Sequence, residues 1–201
     1  MKYFPIFLLL LFCFSCSKEK NNSLESNEFQ ELKNKGYTNY INGNYDSSYV
    51  YFNKAQLIGQ SQTADEQSYV SLYLAYIYNI KSDFNSLEEV VTNALALSDE
   101  SLYHSYLYNF LGIAYEEKHD YKAAIENYKL ASKYTNSDLA RLIIQNNIAV
   151  IQLEQKKYDE AIELLSPLLK SDTLIKARKD YAKVMDNLGY AYFKNGKIFK
   201  I

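Results

Sequence analysis

The 201-residue chain predicts an all-α protein built as an array of antiparallel helix pairs, about four and a half of them. A set of aromatic and small residues returns at nearly fixed spacing along it. Only Pro167 interrupts the region after the N-terminus, and no run of alternating β-branched residues points to a sheet.

The repeat is clearest from Asn109 to Ala131, where two amphipathic helices flank a polar turn at Lys118 to Asp120. Gly112 and Ala124 are small where the helices must touch, and Asp120 is placed to accept a hydrogen bond from the second helix's free amides. The aromatic opening the second helix recurs at Tyr45, Phe84, Tyr121 and Tyr158, with Ile198 in the same slot, at spacings of 39, 37, 37 and 40 residues. The first helix's small residue runs Gly36, Ala75, Gly112, Ala149, Gly189, and a tyrosine three residues later runs Tyr78, Tyr115, Tyr192. Ser48, Ala124 and Ala161 mark the second helix's crossing point. The pattern weakens where Lys35 replaces a leucine, Asn39 and Gln152 replace the tyrosine, and Leu87 replaces the small residue.

These motifs resemble the tetratricopeptide repeat over residues 29–201. The resemblance implies a right-handed superhelical α-solenoid, with hairpins near 29–62, 68–101, 105–138 and 142–175 and an incomplete one at 182–201. The units here exceed the family's usual 34 residues, which predicts longer helices.

In chain order, Lys2 precedes an apolar run from Phe4 to Phe14 that ends at Ser15-Cys16. Eleven apolar residues are too few for a hydrocarbon core of about 30 Å, so residues 1–15 read as a secretion signal. The run resembles a bacterial lipoprotein signal. That implies an acylated Cys16 and attachment to the cell envelope, on the periplasmic side or at the outer membrane; secretion without lipid is the alternative. Residues 16–28 are almost wholly polar, with Leu24 the exception, and read as a flexible tether. The array at 29–201 lacks cysteine, so an apolar core must hold it. Asp65, Asp99, Ser137 and Thr173 signal helix starts, and Pro167 predicts a kink in the fourth unit's second helix. The fifth unit's second helix is barely begun at Ile201. A truncated product of a longer array is expected, with Val184, Leu188, Ala191 and Tyr192 losing part of their burial.

A net charge of −2 from 22 basic and 24 acidic residues gives no electrostatic case for nucleic acid. His104 and His119 lack cysteine partners and read as surface residues rather than metal ligands. Glu116-Glu117 and Asp159-Glu160 fit helix surfaces and caps. No phosphate loop or nucleophile elbow is found, so no catalytic residue, cofactor or metal is predicted.

The resemblance also implies that the first helices line a concave face. The stripe there includes Leu72, Ile143, Glu116 and Leu153, and its expected partner-binding residues are Tyr37, Tyr40, Tyr69, Tyr76, Tyr106, Asn109, Asn146 and Tyr190. Tyrosine buries a ring while hydrogen-bonding, and asparagine pairs with peptide backbone. With 21 tyrosines in the chain, composition alone accounts for part of the stripe. The lysine, asparagine and arginine clamp of some family members is not matched, because Tyr37 follows Lys33. The expectation is a non-catalytic scaffold at the envelope for a peptide or partner helix. The rivals are the sensory region of a larger signalling protein and an outer-membrane assembly lipoprotein; carbohydrate binding is weaker for want of tryptophan. Replacing Cys16 by serine should move the protein from the membrane fraction to the soluble one, and a variant that still sediments with membranes would rule out acylation there as the anchor.

Overall fold

The computed structural model describes residues 26–98 and 101–198, which place the signal segment, Cys16 and Asp99 outside the described residues. The helices are α1 (26–41), α2 (Tyr45–Ile58), α3 (Ala64–Ile80), α4 (Phe84–Leu95), α5 (His104–Glu117), α6 (Tyr121–Tyr134), α7 (Asp138–Glu154), α8 (Tyr158–Leu165), α9 (Asp172–Lys176) and α10 (Arg178–Lys194). Among the described residues there is no strand. Helices α1/α2, α3/α4, α5/α6 and α7/α8 are hairpins, and α10 is the first helix of a fifth. Residues 26–28 already belong to α1, so the expected tether ends earlier than 28.

All five first helices end in one device. Gly43, Ser82, His119, Lys156 and Gly196 have φ of 76, 56, 59, 60 and 66°. At the third turn the His119 amide donates to Glu116 O at 2.8 Å and the Asp120 amide to Tyr115 O at 2.9 Å, a Schellman closure. The same pair of bonds recurs at the other turns, with Asn39, Tyr78, Gln152 and Tyr192 in the place of Tyr115. Three turns therefore hold a side chain in a left-handed backbone that glycine adopts at no cost.

Capping follows local backbone conformation. Asp83, Asp120 and Ser137 cap α4, α6 and α7 by accepting from Ser86, Ala123 and Ala140 amides. Thr63 and Ser171 cap α3 and α9, not the expected Asp65 and Thr173, because each is the short hydroxyl that already has extended backbone, ψ 155 and 120°. Asp65 instead accepts from Ser101 Oγ at 2.8 Å and the Leu102 amide at 3.3 Å.

The helices of a hairpin cross where a ring lies on bare backbone. A Cβ on Gly112 would sit 2.4 Å from Tyr128 Cε1, and one on Gly36 would sit 3.0 Å from the Phe52 ring. The ring over Gly112 is that of Tyr128, four residues after the buried Ala124 on the same helix. Ala75 and Ala149 fill the same slot in the second and fourth units, and Val91 and Leu165 stand where the rings would be, all of them fully buried. Glycine goes with an aromatic ring and alanine with an aliphatic side chain.

Pro167 does more than kink its helix. Helix α8 stops at Leu165, a 3-10 turn spans Leu168–Lys170, and Ser171 starts α9. Leu168 and Leu174 from this broken segment join Ala149, Leu165, Val184 and Leu188 in one cluster. As a result Val184 and Leu188 are 1 and 2% exposed, and Ala191, packed with Leu153 and Ala161, is 0% exposed, contrary to the expected loss of burial; Tyr192 is half-buried, and the exposed rings of α10 are Tyr190 and Phe193.

Two residues expected at the surface are not there. His104 is 2% exposed, edge-on to Tyr134 with ring centroids 5.1 Å apart, because the first residue of α5 is packed beneath α6. Glu116 is half-buried and accepts from the Tyr128 hydroxyl at 2.5 Å. Burial, opposed by that hydrogen bond and aided by Glu154 and Glu117, pushes its carboxyl up to about 7.

Two tests follow from the crossing. Gly112→Ala should cost about 1–3 kcal/mol in urea unfolding, and less in a Tyr128→Leu background; equal costs in both backgrounds would separate the two positions. Glu116 holds its proton more tightly folded than unfolded, so its contribution to stability is fully present below the ordinary carboxyl value of 4.5 and is lost as pH rises through about 7. The melting temperature should therefore fall between pH 5 and 7.5, and Glu116→Gln should flatten that slope; an unchanged slope would assign it to other groups.

Candidate functional site

A row of rings runs across the first three first-helices. Tyr37 and Tyr40 come from α1, Tyr69, Tyr73 and Tyr76 from α3, and Tyr106 and Phe110 from α5, spaced three and four residues apart within each helix so that they share a face. Tyr73 is its hub, with centroids 5.6 Å from Tyr37, 5.1 Å from Tyr40, 4.8 Å from Tyr69 and 5.9 Å from Tyr76. Tyr76 then meets Phe110 edge-on at 4.7 Å. Tyr73 also stacks on Phe52 at 5.1 Å, tying the row to the first crossing. The predicted stripe missed Tyr73 by following a single line of residues; its place four after Tyr69 and three before Tyr76 was the available signal.

The other predicted residues divide. Tyr37 and Tyr106 are exposed, and Tyr40, Tyr69 and Tyr76 are half-buried. Leu72 and Leu153 are core residues at 6 and 8% exposure, because a first helix packed on both sides buries more than one line of its surface. Tyr190 is exposed on α10 with Lys194 Nζ 5.5 Å over its ring, in the fifth unit and away from the row. The asparagines join neighbouring first helices: Asn147 Nδ2 donates to Asn109 Oδ1 at 3.2 Å, and Asn187 Nδ2 to Asn146 Oδ1 at 2.9 Å. The Oδ1 atoms of Asn109 and Asn146 thus each accept one bond from the next first helix, and Asn146 is 8% exposed.

At the row's end, α3, α5 and α7 enclose a cleft of about 210 Å³ lined by Tyr76, Tyr106, Asn109, Ile143 and Ile144, with no charged side chain. A wider bay of about 700 Å³ adjoins it through Ser105 and Tyr106, with Asp65, Ser101 and Ser137 at its edge. Charge near the row is paired. Lys33 lies 3.6 Å from Glu66, which also accepts from Gln30. Burial pushes the Tyr76 hydroxyl up to about 12 and raises Tyr40 and Tyr69 as well, so these hydroxyls keep their protons at neutral pH. Among the described residues no three His, Cys, Asp or Glu side chains converge to hold a metal. The arrangement suits binding by rings and hydrogen-bond donors.

Residues 105–138 match the family model of the tetratricopeptide repeat. Human tetratricopeptide repeat protein 21A is 32% identical over 117 residues, which is 58% of this chain and 8% of that protein. The solved structure of the MamA protein, 16% identical, covers 85% of this chain and 84% of its own with a TM-score of 0.63. BtubC (BKLC) from P. vanneervenii, 17% identical, covers 89% of this chain and 84% of its own with a TM-score of 0.65. These last two likenesses establish the fold alone. Residues 105–138 thus match a tetratricopeptide repeat, and the chain's successive helical hairpins share the fold of these solenoid neighbours.

Proposed function

We propose that this chain is a non-catalytic scaffold, held at the bacterial cell envelope through an acylated Cys16, that binds a peptide or helix of a partner protein on its first-helix face. The repeat fold is one that serves protein–protein interaction. The observation that carries the finer reading is the row from Tyr37 to Tyr106, which ends at the uncharged cleft between α3, α5 and α7. A cleft of that kind accepts an anchoring side chain, and half-buried tyrosines supply contact area at low conformational cost. The envelope location is supported by the apolar run ending at Ser15-Cys16.

An aromatic anchor at the centre of an interface contributes about 2 kcal/mol or more. Crosslinked envelope extracts should therefore yield a partner whose affinity for the Tyr76→Ala/Tyr106→Ala double variant is lower by about tenfold or more, with helicity retained. Equal affinity for wild type and variant would return these rings to compositional bias.

A further inference from the structure

Three of the four junctions between successive units are fastened at their turn ends. Lys81, in the turn after α3, pairs with Asp46 of α2 at 2.6 Å, and Lys118, in the turn after α5, pairs with Glu88 of α4, which also accepts from the Tyr115 hydroxyl. After α10, Lys197 and Asn195 both reach Asp159 of α8. The junction of the third and fourth units has no counterpart. Lys157, in the slot of Lys197, finds Lys122 in the slot of Asp159 and Ile125 in the slot of Glu88, and it turns back on Gln155 at 2.6 Å. Among the described residues no ion pair crosses this junction, and the buried Gln152 oxygen, in the slot of Tyr78 and Tyr115, has no protein hydrogen-bond partner.

What meets at this turn end instead is acidic. Half-buried Glu116, near the end of α5, accepts from the Tyr128 hydroxyl at 2.5 Å, and it is faced by Glu154 from α7, Glu117 from its own helix and Tyr121 from α6. Tyr128 in turn packs in one cluster with Ile144 and Ile151 of α7, so Glu116 sits against the junction itself. None of the three carboxylates takes part in an ion pair among the described residues. A carboxylate shut away from water without a countercharge is costly, and water entering the junction relieves that cost. The rise of the Glu116 carboxyl to about 7, with burial the first of its causes, is the same cost seen from the proton's side. The other end of the junction is pinned. There Arg141 Nη2 donates to Thr135 O at 2.9 Å and Asn147 Nδ2 to Asn109 Oδ1 at 3.2 Å. We infer that the junction of the third and fourth units is a proton-gated hinge, closed while Glu116 holds its proton and parting at the turn end, about the Asn109–Asn147 contact, once Glu116 is ionised. Parting returns Glu116 toward the ordinary 4.5, so it releases a proton and becomes easier as pH rises from about 4.5 to about 7, then levels off. The movement swings α7 to α10 relative to the tyrosine row.

The test is hydrogen exchange read by mass spectrometry on the full chain in detergent micelles at pH 5 and 7.5, with each segment's rate divided by that of the urea-unfolded chain at the same pH. Protection across α7 and α8 should be at least about tenfold lower at pH 7.5, since each pKa unit that Glu116 gives up on opening is worth about tenfold, while α1 to α4 stay unchanged. Glu116→Gln cannot ionise and should hold α7 and α8 at their acid protection at both pH values. Glu154→Gln removes the charge that faces Glu116 across the junction and should shrink the difference. If α7 and α8 are equally protected at both pH values in the wild type, or if Glu116→Gln leaves the difference intact, the hinge falls. An equal loss in every helix would assign the effect to global unfolding, and a loss confined to α5 and α6 would assign it to that hairpin; either result overturns the inference.

Discussion

A ring lying on a bare stretch of backbone governs this architecture. Tyr128 occupies the space a side chain at 112 would need, as Phe52 does at Gly36, so the two helices of a hairpin approach to ring thickness and no closer. Where alanine takes the glycine's slot, Val91 and Leu165 return the lost volume. The contact is reinforced by buried hydroxyls that give a hydrogen bond to the opposite backbone: Ser48 to Gly36 O at 2.8 Å, and Ser105 to Ala131 O at 2.9 Å. With the hairpin held at one spacing, each first helix presents the same face in the same direction. The row of tyrosines on three units follows from that repetition.

The tyrosines separate into classes once their positions are known. Those at Tyr78 and Tyr115 close the first helix through their carbonyls and reach with their side chains to the preceding unit. Tyr78 meets the Tyr49 ring at 5.7 Å, and the Tyr115 hydroxyl donates to Glu88 at 2.8 Å. Tyr128 is core. The row is a third class, half-buried and facing outward. A residue type that supplies both area and a donor thus serves core, seam and surface in one chain, which is why its abundance alone was a poor guide to function.

The hairpins were legible in the sequence because glycine, alanine and aromatic slots recur at a period that only a repeat produces. The turn at His119 was legible for the same reason, since Gly43 and Gly196 share its slot. What sequence spacing could not provide was the ring at each crossing: Gly112 and Ala124 marked where the helices meet, but not that Tyr128 fills the room that glycine leaves. Cap positions were missed by two residues, as Thr63 and Asp65 are equally short and polar and only backbone conformation separates them. At the site, one line of residues captured Tyr69 and Tyr76 but not Tyr73, and it included Leu72 and Leu153, because how much of a helix is covered depends on both neighbours. That Asn109 and Asn146 accept bonds from the next first helix depends on contacts between residues 38 and 41 positions apart, which the repeat period implies only in outline.

The fourth unit breaks the pattern twice. Gln152 stands where the second, third and fifth units have tyrosine, and its side-chain oxygen is buried without a protein hydrogen-bond partner. Fifteen residues later Pro167 ends α8 after two turns. In a linear array each unit is stabilised by its own hairpin and by its two seams, so cooperativity is only as strong as the poorest seam. A single apolar cluster joins residues of α1 through α5, while smaller separate clusters serve α6 to α10. The chain is therefore an uneven zipper: the large shared cluster of the first units, tied to α6 through the α5/α6 hairpin, predicts that the units beyond α6 open first and re-form last.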